Sequence, residues 1–207
     1  MKLWLFDILA CPICKHFPLK LFIFSYENKE ELFENYISSY NNKRIEYHKK
    51  EQIPEIIKGE KIKVKDNIVI KETPIKEYYE KLISSIEELN QIIDKTPYKA
   101  SKRCLNLIKG TVKEKIQNFR ESSKNKNIED LLPELNLINK IKVEIEVETG
   151  LLFCNECNRW YPIIDSIPRM LPDEYREKDE ELQFLSNNEK FLDKEFLSKD
   201  LKPFNLT

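Results

Sequence analysis

The amino-acid sequence predicts an α+β protein. A small β module assembled from both chain ends is interrupted by a mainly helical insert that carries a β-hairpin. Three observations predict it. Two Cys-x-x-Cys pairs, Cys11/Cys14 and Cys154/Cys157, stand at opposite ends with 139 residues between them. Short aromatic and β-branched runs flank the cysteines at both ends. Apolar residues recur at helical spacing through the middle. The boundaries read as 1–24 plus 141–172 for the β module, 25–140 for the insert and 173–207 for an acidic C-terminal tail.

Along the chain, "LKLFIF" (19–24) reads as a strand and "KEELFENYISSY" (29–40) as a short amphipathic helix capped by Asn28. "RIEYHK" (44–49) reads as a strand, and "KIKVKDNIVIK" (61–71) as a hairpin turning at Asp66-Asn67. Thr73-Pro74 opens a helix with Tyr78, Leu82, Ile86, Leu89 and Ile93 in its stripe. Thr96-Pro97 opens a second, striped by Leu105, Ile108, Val112, Ile116 and Phe119. After the polar gap "ESSKNKN", a shorter helix is expected near 128–139, disturbed by Pro133. "IKVEIEVE" (141–148) alternates apolar and charged residues as a half-buried strand does. Thr149-Gly150 then reads as a turn, "LLF" as a returning strand, and Asp165-Ser166 as a turn between "RWYPII" and "IPRML". Residues 173–200 hold ten acids against five bases with apolar residues interspersed, a helical or docked tail.

Composition narrows the function. Charged residues make up 34% and hydrophobic residues 41%, which suits a globular core. With 35 basic and 36 acidic residues the chain has no overall bias toward nucleic acid or an anionic membrane. No apolar run reaches the roughly 18 residues of a membrane span. The N-terminal "MKLWLFDILACPIC" makes a poor signal peptide, because Asp7 interrupts it and no small-residue cleavage site follows. A cytoplasmic protein is expected.

Each Cys-x-x-Cys turn places two thiolates on one side of a tight loop, where both reach one ion at about 2.3 Å. Two such turns complete a tetrahedral all-cysteine site, which suits structural zinc. Cys11, Cys14, Cys154 and Cys157 are therefore the candidate metal ligands, and the β module reads as a zinc ribbon split by the insert. Cytosolic disulfides, a thioredoxin-like redox pair and two unrelated surface pairs are the competing readings. The reducing compartment opposes the first, and the missing βαβ context opposes the second. Asn158 after the second pair suits a left-handed backbone, whereas Lys15 after the first is less expected. Cys104 reads as a buried small hydrophobe, and His16 and His48 as surface residues.

The sequence holds no nucleophile–base pattern, no HExxH and no Gly-rich phosphate loop among its three glycines. A closed four-cysteine site leaves no position for a reacting water. A binding or scaffold role is expected, without catalytic residues. Apolar residues crowd the small β module: Leu3, Trp4, Leu5 and Phe6 at one end, and Trp160 through Leu171 at the other. Leu5, Trp160 and Ile164 are assigned to its core. "SIPRML" follows a turn and carries a proline that cannot donate to a ladder, so it reads as an edge strand. An apolar edge needs a partner, and one adding its own strand would pair there.

The sequences "MKLWLFDILACPIC" and "GLLFCNECNRWYPIIDSIPRMLPDE" resemble the small zinc-binding activator subunit shared by several methyltransferases of archaea and eukaryotes. The resemblance covers about residues 1–24 and 145–175. It implies a non-catalytic subunit that stabilises and activates S-adenosylmethionine-dependent methyltransferases acting on tRNA, rRNA or a translation release factor, joined in a heterodimer by a strand-to-strand zipper. It implies zinc on Cys11, Cys14, Cys154 and Cys157, with Ile167, Pro168, Met170 and Leu171 in or near the partner-contacting strand. Leu3 and Trp4 are added as candidate partner contacts from their apolar character. Ser166, where the family has Gly, and the long insert depart from the pattern.

Residues 95–126 hold ten basic and two acidic residues. Lys99, Lys102, Arg103, Lys109 and Lys113 are candidate RNA contacts for a partner's substrate; the plainer reading is a solvated helix face balanced by acids elsewhere. A zinc-ribbon protein that binds nucleic acid by itself is the alternative function, opposed by the few bases on the ribbon. A thiol oxidoreductase is a third.

Overall fold

The computed structural model describes residues 1–43, 54–121 and 127–206. The strand expected at 44–49, with His48, lies outside the described residues.

A five-stranded mixed sheet organises the molecule. Its strands are β1 (Lys20–Tyr26), β5 (Ile92–Asp94), β6 (Val147–Phe153), β7 (Trp160–Ile164) and β8 (Ile167–Pro168), in the order β5-β1-β6-β7-β8. β5 runs parallel to β1, and the remaining pairs are antiparallel. A second sheet joins β2 (Glu55–Ile57), β3 (Lys63–Lys65) and β4 (Thr73–Pro74).

β1 is buried on both faces, as its unbroken apolar run demands. Leu21 and Ile23 join Leu152, Tyr161 and Ile163 in a core shared with the helices α1 (Leu3–Phe6), α2 (Glu30–Asn41), α3 (Ile75–Glu88), α4 (Lys99–Leu107), α5 (Lys113–Glu121) and α6 (Leu132–Glu144). A π-helical turn, Ile108–Val112, joins α4 to α5 and buries Ile108 and Val112. Phe22 and Phe24 face the other way, with Leu151, Phe153 and Trp160. They are covered by the C-terminal segment through α7 (Lys178–Asn187) and α8 (Lys194–Leu197). The acidic tail is thus docked.

Several expectations are corrected. Asn28 does not cap α2; its side-chain carbonyl accepts from the Glu146 amide and ties the helix entry to β6. Asp66 does turn the chain, accepting from the amides of Ile68 and Val69, but the returning strand is Thr73–Pro74, not 68–71. Asp66 is also held by Tyr78 and Asn139, so this turn is fixed by α3 and α6 rather than by a simple hairpin. Ile93 leaves the helical stripe and enters β5, because the chain passes through a 3-10 turn at Leu89–Gln91. Pro133 does not disturb α6; it sits in the first turn, where its missing N–H costs nothing.

The largest correction concerns 141–148. Residues 141–144 end α6, and β6 begins only at Val147. The alternation there also satisfies helical spacing, with Leu135, Ile138, Ile141 and Ile145 all fully buried. Lys142, expected on a solvent face, has no exposed surface and pairs with Asp7 of the N-terminal segment. Gly150 is not in a turn but opposite Ile23 in β6; a Cβ there would stand 2.6 Å from the Phe22 carbonyl oxygen. No helix among the described residues is long and apolar enough to cross a membrane.

Candidate metal centre and sheet edge

The chain ends are brought together by local backbone choices. Lys2 bridges to Glu146 in backbone pairing and by an ion pair of 2.7 Å, which brings the first knuckle to the start of β6. In that knuckle the Cys11 amide donates to the His16 carbonyl and the Lys15 amide to the Cys11 carbonyl. In the second, the Cys154 amide donates to the Arg159 carbonyl. Lys15 (φ 61°) and Asn158 (φ 55°) hold the same left-handed position one residue after each pair. Asn adopts it readily; for Lys15 the ammonium donates to the Pro12 carbonyl at 2.7 Å, a bond across the same turn.

The four sulfurs of Cys11, Cys14, Cys154 and Cys157 lie within 4.8 Å of one another, close enough to hold one metal ion. The Cys11–Cys157 separation is 3.7 Å, and Cys14 stands 3.5 Å from both Cys154 and Cys157. A tetrahedral ion with metal–sulfur bonds of about 2.3 Å requires edges of about 3.8 Å, so the thiols fit such an ion with little adjustment. The five cysteines form no disulfide.

The thiols differ electrostatically. Burial raises Cys11, but hydrogen bonds from the Tyr161 hydroxyl and from the Cys14 and Ile13 amides outweigh it and bring the thiol down to about 7. The Tyr161 hydroxyl stands 3.2 Å from Cys11 Sγ. Burial pushes Cys154 and Cys14 up. A bound cation favours all four as thiolates. Arg159 adds a fixed positive charge, held by the Asp173 carboxylate at 2.8–3.2 Å. Cys104 is buried in α4 away from this cluster, and burial drives it up to about 12.

The sequence-predicted partner contacts differ in exposure. Ile167 and Leu171 are exposed (64% and 45%), as is Trp4 (41%). Pro168 and Met170 are half-buried, Met170 against the main core. Leu3 is 1% exposed and belongs to that core; the helical turn of α1 rotates it inward as Trp4 turns outward. Leu5, Ile164 and Trp160 pack internally.

Of the candidate RNA contacts, Lys99 is exposed on α4. Arg103 pairs with Glu34, Lys113 with Glu87, and the Lys102 ammonium donates to the Thr96 carbonyl. Lys109 is half-buried, and burial lowers its amine.

Two features escaped the sequence. Asp7 accepts from both Lys142 and Ser85, an ion pair inside the core. The lone acid in the mostly apolar N-terminal run was its signal. Arg176, in the acidic tail, is buried against Glu181 and stacks on Trp160 and Tyr161.

A mixed α+β fold in which cysteines from both ends of the chain meet in one four-thiol cluster able to hold a metal ion defines the class. The family model described as Trm112p-like protein matches residues 2–166, and the chain belongs to that family. Membership implies a methyltransferase-activator role in general. No curated protein and no solved structure matches the chain.

Proposed function

We propose that this protein is a non-catalytic subunit of the cytoplasm that carries a structural zinc ion. It activates and stabilises S-adenosylmethionine-dependent methyltransferases acting on tRNA, rRNA or a translation release factor, by adding its sheet to theirs and covering their apolar surface. The single observation that carries the reading is the meeting of Cys11, Cys14, Cys154 and Cys157 at one point within a chain matched to the Trm112p-like family. Zinc suits four soft thiolates in closed tetrahedral geometry; bound there, it supplies folding energy by joining the chain ends. Residues 1–24 and 141–172 form the zinc-binding domain in this reading, with 25–140 as a mainly helical insert and 173–207 as the acidic tail. Trp4, Ile167 and Leu171 supply exposed apolar side chains for the partner.

The charge pairing on α4 and α5 favours a solvated helix face over a phosphate-binding one, since Arg103 and Lys113 already have carboxylate partners. That pairing also counts against independent nucleic-acid binding.

The test is purification of the tagged full chain from its native host. A methyltransferase recovered in a 1:1 complex, with activity lost when the subunit is stripped off, is the expected result. Recovery of ribosomal proteins or polymerase subunits alone overturns the reading.

A further inference from the structure

The outer margin of β7 is where this sheet can still grow, and the chain's own tail sits on it. In an antiparallel ladder, bonded and non-bonded pairs alternate. Trp160 and Pro162 turn their backbone groups away from β6. The Pro162 carbonyl accepts from the Arg169 amide at 2.9 Å, and the Trp160 carbonyl from the Arg176 guanidinium at 2.8 Å. The Trp160 amide donates to the Lys202 carbonyl at 3.3 Å, and the Lys202 amide donates to the Asn158 carbonyl at 3.0 Å, forming a parallel bridge. The Trp160 indole N–H donates to the Phe204 carbonyl at 3.1 Å. Residues 202–204 therefore stand where a neighbouring strand would.

β8 offers an added strand little. By the same alternation Ile167 bonds back to Ile164, leaving Pro168 to face outward. Pro168 has no N–H, and its carbonyl accepts from the Met170 amide at 3.2 Å. The ladder groups that a partner strand needs are those of Asn158 and Trp160.

We propose that residues 200–204 are a self-supplied occupant of the strand-addition site, displaced when an extended segment of the methyltransferase pairs with β7 between Asn158 and Trp160. This rests on the activator reading above. Two observations favour displacement. The segment lies outside the matched residues 2–166. Its apolar anchorage is also small: Leu201 is the buried side chain among residues 200–204, whereas α7 and α8 bury Phe184, Leu185 and Phe196. Residues 200–204 can leave while α7 and α8 keep the sheet face covered. A self-docked segment lowers apparent partner affinity by the fraction of molecules in which the site is open. The tail thereby sets the affinity threshold for partners.

The test compares backbone hydrogen exchange in the full chain, free and bound to the methyltransferase with which it co-purifies. Faster exchange of peptides covering 199–206 in the complex, with Trp160 still protected, is the expected result. Leu201→Ala, which loosens the segment, is expected to tighten binding about tenfold. If a methyltransferase binds while 199–206 stay protected and Leu201→Ala leaves affinity unchanged, displacement is wrong and the activator reading stands. New protection at Ile92–Asp94, the opposite edge, in place of β7 also overturns it. If no methyltransferase binds, both fall. The wild-type exchange measurement decides the matter even where Leu201→Ala is unstable.

Discussion

The two faces of the five-stranded sheet are held by different means. One packs against the insert helices, with a buried ion pair and the four-thiol cluster at its margin. The other is covered by aromatic side chains of the C-terminal segment. There Phe196 meets Phe22 and Phe153 edge-on, at 5.1 and 5.0 Å between centroids, and Phe191 stacks on Phe24 at 5.0 Å. The first face ties together parts of the chain far apart in sequence, through groups whose geometry is fixed. The second relies on area and shape, which tolerate substitution more gradually. Metal loss should therefore strike the first face and leave the second to follow, while aromatic truncation should do the reverse.

Removal of the metal is the strongest way to break this contrast. Structural zinc contributes on the order of 10 kcal/mol to the fold of small modules. Chelation, or Cys154→Ser, is expected to abolish the cooperative thermal transition, followed by circular dichroism, and to release the N-terminal segment to proteolysis before α7 and α8.

Next in size are single truncations on each face. Asp7→Ala leaves the Lys142 ammonium inside the core without its counter-ion and should cost about 3–5 kcal/mol in urea unfolding. Trp160→Ala, on the tail face, should cost about the same through lost packing. It should also raise exchange in residues 178–206, which Asp7→Ala should not. Gly150→Ala should cost less, about 1–3 kcal/mol, by pushing the new methyl against the Phe22 carbonyl.

A pH dependence sharpens the picture further. Burial, with Asp94 and Asp66 respectively, holds the Tyr26 and Tyr78 hydroxyls well above their usual value of 10. The folded state keeps these protons that the unfolded state loses, so stability is full below pH 10 and falls above it, by about 1.4 kcal/mol per pH unit for each tyrosine. Lys142 acts oppositely. Burial lowers its amine below 10.5, so folding binds fewer protons there and stability gains as pH rises toward 10.5. Urea midpoints between pH 9 and 11 should fall overall, and Tyr78→Phe should flatten the fall. The smallest effect is expected for Arg103→Ala, whose exposed pair with Glu34 is worth under about 1 kcal/mol.

Much of this contrast was legible in the sequence, and the misses have physical causes. The cysteine spacing located the four-thiol cluster because ligand chemistry leaves few alternatives. The apolar run Leu21–Phe24 marked β1 as a strand, but its burial on both faces emerged only from the docked C-terminal segment. The segment at 141–148 was misread because a short stretch with Lys142 and Glu144 on alternate positions fits either period, and only the Asp7 partner decides it. Asn28 was misread because its acceptor serves a residue 118 positions away. The pairing of Lys202 with β7 left no pattern at all, since a one-residue bridge needs no particular side chain.

X-ray absorption at the metal edge of the purified protein addresses the central claim most directly. One ion per chain, surrounded by four sulfurs at about 2.3 Å, is the expected result. A metal-free protein, or a shell with nitrogen or oxygen in place of sulfur, contradicts the account.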